Sequence, residues 1–245
     1  MKPDDLEQIL AQAAQRELLP DAQRAAIQRA QRTLLAGLRP AKPLASPRWF
    51  LLSFIAVCAG FAVSIAAILG MHGLHVLGAV QGAAIFTALL ALAMLAAVAC
   101  ERAMRPAGGA RLGWQAWLVA AIVFPVLFSL VFHGYSTLNF VHEGIPCLVA
   151  GLAVSLPTGL IVALILRRGF VMEWSSAGLA AGTLSGLAGL AMLELHCPNL
   201  KAIHVISWHV AVVVLAGILG WGIGWLADER RRKRTVTAAA APGNA

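Results

Sequence analysis

Cysteine, histidine and glutamate are the side chains of this sequence whose types and spacing could do chemistry. Cys147 follows Pro146, Cys197 precedes Pro198, and Glu194 and His196 stand beside Cys197 as the densest such patch. Imidazole and thiolate bind soft and borderline cations, and two thiols can pair if their Cα atoms come within about 7 Å. Cys147 and Cys197 are therefore a candidate redox pair, as a dithiol or a disulfide. His196, Glu194 and His142 are the candidate metal ligands. No CxxC or HExxH spacing is present, so the competing account is a set of interfacial side chains that meet water and headgroups. No resident cofactor is expected, only transient heavy-metal binding. Catalysis is not expected either. No serine stands in a nucleophilic arrangement with Lys, His or Asp, and no Gly-rich loop could cradle a phosphate.

The elements that must position these residues follow from composition. Of 245 residues, 60% are hydrophobic and only 12% charged, and charge is confined to short blocks. A bilayer imposes that arrangement, because an ionised group in hydrocarbon is expensive. Six windows reach the roughly 20 apolar residues a membrane helix needs: 49–71, 74–100, 114–133, 144–166, 175–195 and 204–226. The fold class expected is all-α, a six-transmembrane-helix bundle. Pro125 and Pro157 lie inside spans, where neighbouring groups can satisfy the freed carbonyls.

Orientation comes from Lys and Arg in the short loops. Arg102, Arg105 and Arg111 lie between spans two and three, Arg167 and Arg168 between four and five, and Arg230, Arg231, Arg232, Lys233 and Arg234 after six. The alternate loops hold Lys201 alone. Both termini are accordingly expected in the cytoplasm. This places His72, His75, His133, His142, His196, His204 and His209 on or near the external side, with Glu143, Glu194, Cys147 and Cys197. Cys58 and Cys100 fall in mid-span and at a cytoplasmic helix end, and read as small packing residues. Absence of Asp, Lys and Arg from the spans, with Glu194 only at an end, argues against a coupled transporter.

Three regions result: a cytoplasmic docking segment (1–48), the transmembrane domain (49–226) and a polybasic tail (227–245). The first reads as two short amphipathic helices, the earlier with Leu6, Ile9 and Leu10 on one side, the later with Ile27 and Leu34 in its apolar line. So few large apolar residues cannot form a core alone, so this segment is expected to dock on lipid or in a partner's groove. The basic tail is expected to meet anionic lipid rather than nucleic acid. Glycines four apart, at Gly78 and Gly82, at Gly178, Gly182 and Gly186, and at Gly220 and Gly224, suit close helix contact within the bundle.

Residues 144–208 resemble the NrsF-like family of six-span bacterial inner-membrane proteins. The segments that carry the likeness are Gly144-Ile145-Pro146-Cys147-Leu148, Leu166-Arg167-Arg168-Gly169, the Gly-rich span five, and Leu195-His196-Cys197-Pro198 with Trp208 downstream. Met1 to Leu6 is similar to the family's short cytoplasmic beginning. The sequence departs from the pattern in its longer Gln- and Arg-rich pre-membrane segment, and in His209 after Trp208. The resemblance implies an anti-sigma factor that sequesters an extracytoplasmic-function sigma factor at the membrane, and releases it when the external side senses stress, heavy metal included. It also implies that Cys147 and Cys197 correspond to paired external cysteines that act in sensing. The alternatives are a metal or small-solute transport protein using the external His and Cys residues, and a structural membrane subunit.

Overall fold

The computed structural model describes residues 46–105, 114–137 and 139–240 with Gln28, Arg29 and Arg32; side chains 114–116, 118–121 and 235–240 are excepted. The chain divides into two compact units, Met1–Pro43 and Leu44–Ala245. In the first, the three described residues are helical. Leu6, Ile9, Leu10, Ile27 and Leu34, the expected docking face, lie outside the described residues.

The second unit is all-helical among the described residues. Its elements are α1 (Pro47–Leu69), the short α2 (His72–Val76), α3 (Ala79–Ala103), α4 (Trp114–Val131), α5 (Phe140–Leu166) and α6 (Trp174–His196). A turn α7 (Ala202–His204) then passes through a π-helical turn (Val205–His209) into α8 (Val210–Ala240). Five helices among the described residues are long and apolar enough to cross a membrane: α1, α3, α5, α6 and the continuous helix from Ala202. At 18 residues, α4 is the shorter apolar helix. Large apolar side chains such as Leu52, Ile68, Leu156, Leu160, Leu164 and Ile223 are exposed, the reverse of a water-soluble surface. The chain is a membrane protein.

The hub of the bundle is α6. Its Ala, Gly and Ser residues leave no bulk on most faces, so neighbouring backbones close in and it is buried along most of its length. A Cβ on Gly178 or Gly182 would strike the carbonyl of Gly220 or Ala216, and one on Gly186 would lie 2.7 Å from Val213 Cα. Expected close contact at Gly178, Gly182, Gly186, Gly220 and Gly224 is thus a seam between α6 and α8. Gly78 and Gly82 face only Gln81 and Leu77, side chains of their own stretch. Gln81 instead joins elements, its Nε2 donating to Val131 O at 3.1 Å, which ties the start of α3 to the end of α4. Against α3 and α6, α4 packs through Phe124, Phe128 and Phe132, one turn apart, with ring centroids 4.5 and 5.6 Å apart in sequence.

Helix limits differ from the sequence windows in several places, and the window 74–100 is broken between α2, which ends at Val76, and α3, which begins at Ala79. Four residues earlier than Gly144, α5 begins at Phe140, and it carries Pro146 as well as Pro157 without interruption. Far beyond Leu226, α8 continues through the whole basic run. Arg and Lys are good helix formers, no Gly or Pro intervenes before Pro242, and Glu229 pairs with Arg232 and Lys233. At this end Asp228 of α8 accepts from Trp174 N and Ser175 N, both at 2.9 Å, capping α6, and Arg231 donates to Val171 O at 3.0 Å. Arg102 of α3, Arg167 and Arg168 just after α5, and the basic run of α8 therefore share one end of the bundle, and the chemically active residues lie at the other.

Candidate functional site: thiols and imidazoles around a π turn

Two prolines and a glycine build the site. Pro198 excludes Cys197 from helical geometry, so α6 ends there with Cys197 extended at φ −78° and ψ 120°. Pro146 sits in the second turn of α5 just before Cys147, and three residues earlier Gly144 leaves a flat place on that helix. The indole of Trp208 fills it: a Cβ on Gly144 would overlap Trp208 Cε2 and Nε1, and the indole also meets Phe140 at 5.2 Å between centroids. This contact presses the start of the last helix against the start of α5.

The result brings Cys147 Sγ within 3.6 Å of Cys197 Sγ, as free thiols. Cys197 Sγ lies 3.7 Å from His204 Nε2, and the rings of His204 and His209 meet edge-on at 5.1 Å. All four donor atoms of Cys147, Cys197, His204 and His209 fall within 4.8 Å of one another. The Cys197 thiol, at the end of α6, is held above its ordinary range by its hydrogen bond with Cys147 and then by burial. It keeps its proton in this arrangement.

Behind the cluster, His209 Nδ1 donates to Glu194 Oε1 at 2.8 Å, both side chains completely buried. Glu194 stands near the end of α6, as expected, and is buried inside the bundle on the face turned to the last helix. The other polar atoms of the pair, Glu194 Oε2 and His209 Nε2, have no hydrogen-bond partner among the described residues. Buried polar atoms are rarely left so.

The sequence-chosen residues separate accordingly. Cys147 and Cys197 come together. Glu194 reaches the cluster only through His209. His196 turns away, its Nδ1 2.8 Å from Gly70 O and its ring 5.9 Å from that of His72. His142 is exposed on the first turn of α5, outside the group of four. Nearby, Asn199 donates to Glu143 at 2.8 Å and holds the 197–201 connection against α5. The residues missed were His204 and His209. Five apart, they would diverge on an α-helix, but the π turn closes i→i+5, with Val210 N donating to Val205 O, and makes them neighbours. Their i, i+5 spacing was the available signal.

The family described as negative regulator of sigma F matches residues 34–227. The chain belongs to that family. Among similar proteins, the anti-sigma-F factor NrsF of Caulobacter vibrioides (strain NA1000 / CB15N) is 29% identical over 164 residues, covering 58% of this chain and 69% of the relative. No solved structure matches. In this negative regulator of sigma F family member, the matched stretch runs from before α1 into α8 and contains the whole thiol and imidazole cluster. It starts at Leu34, so Leu6, Ile9, Leu10 and Ile27 precede it.

Proposed function

We propose that this protein is an anti-sigma factor of the bacterial inner membrane, which holds an extracytoplasmic-function sigma factor through residues 1–48 and releases it when Cys147 and Cys197 change their bonding on the periplasmic side. The observation that carries the reading is the family match joined to two free thiols 3.6 Å apart, at the bundle end opposite the basic residues. Basic loops favour the cytoplasm, so that end faces outward and both termini face inward. With α4 as a further span, the count is six. A thiol pair suits a sensor, since reduced it can bind a soft metal and oxidised it fixes a short distance. Binding or oxidation shifts the sigma-holding equilibrium only by its differential effect on the two states. The partner is a protein and the surroundings are lipid; no step requires direct contact with nucleic acid.

The test is co-purification of the full chain, in membranes, with sigma factors of the same organism. Wild-type protein should retain one of them and lose it on treatment with a soft metal or an oxidant. Replacing Leu6, Ile9 and Leu10 together with Asp should abolish retention, because charge would enter an apolar groove. Replacing Cys147 and Cys197 with Ser should preserve retention and abolish release. Retention of no sigma factor, or normal release from the double Ser variant, would refute the proposal.

A further inference from the structure

We infer that Cys147, Cys197, His204 and His209 form a four-ligand site for a zinc-like divalent cation, with Glu194 as the carboxylate that orients His209. The inference deepens the proposed function and rests on that reading for its regulatory role, while its chemistry stands on the geometry alone. Zinc binds thiolate at about 2.3 Å and imidazole at about 2.0–2.1 Å, usually as a tetrahedron. The edges of that tetrahedron are about 3.8 Å between sulfurs and about 3.6 Å between sulfur and nitrogen. Cys147 Sγ to Cys197 Sγ is 3.6 Å, and Cys197 Sγ to His204 Nε2 is 3.7 Å. Two edges are therefore already set at coordination length.

An independent observation points the same way. His209 is fully buried and is one of the four grouped residues, its Nδ1 is committed to Glu194, and its Nε2 has no hydrogen-bond partner among the described residues. Proton donation from Nδ1 to the carboxylate leaves a lone pair on Nε2. That is the tautomer a metal requires, and a carboxylate behind a ligating histidine is the usual means of fixing it. The π turn supplies the second imidazole, a widening of the helix that occurs frequently at functional sites.

On binding, the S–H bonds of Cys147 and Cys197 break, two protons leave to solvent and two metal–sulfur bonds form. Both imidazoles bind as neutral ligands through Nε2, and no oxidant or reductant takes part. Two thiolates balance the dication, so the ligand set adds no net charge to this buried place. Soft thiolates with borderline imidazoles select zinc or cadmium over magnesium or calcium.

Cobalt(II) added to the reduced full-length protein in detergent micelles tests the site. Wild-type protein should take up an equimolar amount, giving intense visible ligand-field bands of tetrahedral cobalt and a near-ultraviolet thiolate charge-transfer band, both erased by zinc. Replacing Cys147 and Cys197 with Ser should remove the charge-transfer band. His204→Gln and His209→Gln should each weaken binding and alter the visible bands, while Glu194→Gln should weaken it about 10–100-fold and keep the charge-transfer band. His196→Gln should leave the spectrum unchanged. Absence of both bands in wild-type protein would overturn the inference without depending on any variant's folding. So would wild-type binding by the double His204→Gln, His209→Gln protein. Cobalt binding without retention of a sigma factor would refute the proposed function and leave the site standing; retention without cobalt binding would do the opposite.

Discussion

Gly186→Ala should loosen the bundle at the seam between α6 and α8. A Cβ there would lie 2.7 Å from Val213 Cα, 3.1 Å from Ala216 Cβ and 3.2 Å from Val212 O, whereas ordinary contact begins near 3.4 Å. The nearest of these is backbone, so no rotamer change can give way and α6 must part from α8 by about 0.7 Å. Gly222 on α8 is the internal control, because nothing lies within 4 Å of its Cβ direction. Both substitutions gain the same helix preference of Ala over Gly, roughly 1 kcal/mol, so it cancels in the comparison. What remains is overpacking, which places Gly186→Ala about 1–3 kcal/mol below Gly222→Ala in stability. Equilibrium unfolding in mixed detergent and dodecyl sulfate micelles, followed by far-ultraviolet circular dichroism, measures the difference. Equal stabilities would show that the seam tolerates a methyl group and would refute the backbone-contact argument.

Other perturbations probe other joints. His209→Phe leaves the Glu194 carboxylate buried without its partner, and should cost about 3–5 kcal/mol in the same unfolding assay. Pairing it with Glu194→Leu should recover most of that loss, and a failure to recover would locate the cost elsewhere. Asp228→Ala uncaps α6 and should lower stability by about 1 kcal/mol, with Asp228→Asn in between because one acceptor survives. Mild oxidation of the folded protein should join Cys147 to Cys197, as peptide mass mapping would show; a disulfide linking Cys58 or Cys100 to either of them would contradict the burial of Cys58 and Cys100 together in a core cluster that holds neither Cys147 nor Cys197. Cobalt uptake should strengthen as pH rises, because each thiol surrenders a proton; affinity independent of pH would exclude thiolate ligation.

Apolar length made most of the architecture legible, because a hydrocarbon layer asks the same question of every span. Thus 49–71 and 175–195 differ from α1 and α6 by only a few residues at their ends. Length is silent where water begins: Gly144 seemed a start although α5 opens at Phe140, and the basic run seemed a tail although its residues continue α8. Glycine spacing identified the seam at Gly178, Gly182 and Gly186, yet the same spacing at Gly78 and Gly82 meets only local side chains. Which face a helix turns inward is a tertiary fact. At the site, the compartment and proline context isolated Cys147 and Cys197, whose thiols do meet. His204 and His209 escaped because periodicity reasoning assumes 3.6 residues per turn, and their partnership exists only where that assumption fails.

The π turn also has a mechanical side. It holds one residue more than an α-helix would use over that stretch, so reverting it to α geometry means passing a residue along the chain, a slip of about 1.5 Å and about 100° of rotation. Downstream the slip is blocked. There α8 meshes with the backbone of α6 at Gly220 and Gly224, and Asp228 pins its far end to Trp174 and Ser175. The slack must be taken up upstream, in the Pro198–Lys201 connection that carries the chain from Cys197 to His204. The turn thus behaves as a ratchet tooth with one free direction. An event that gathers or scatters the four donor atoms should therefore move the short Pro198–Lys201 connection and α5 beside it, and leave α6 and α8 in register.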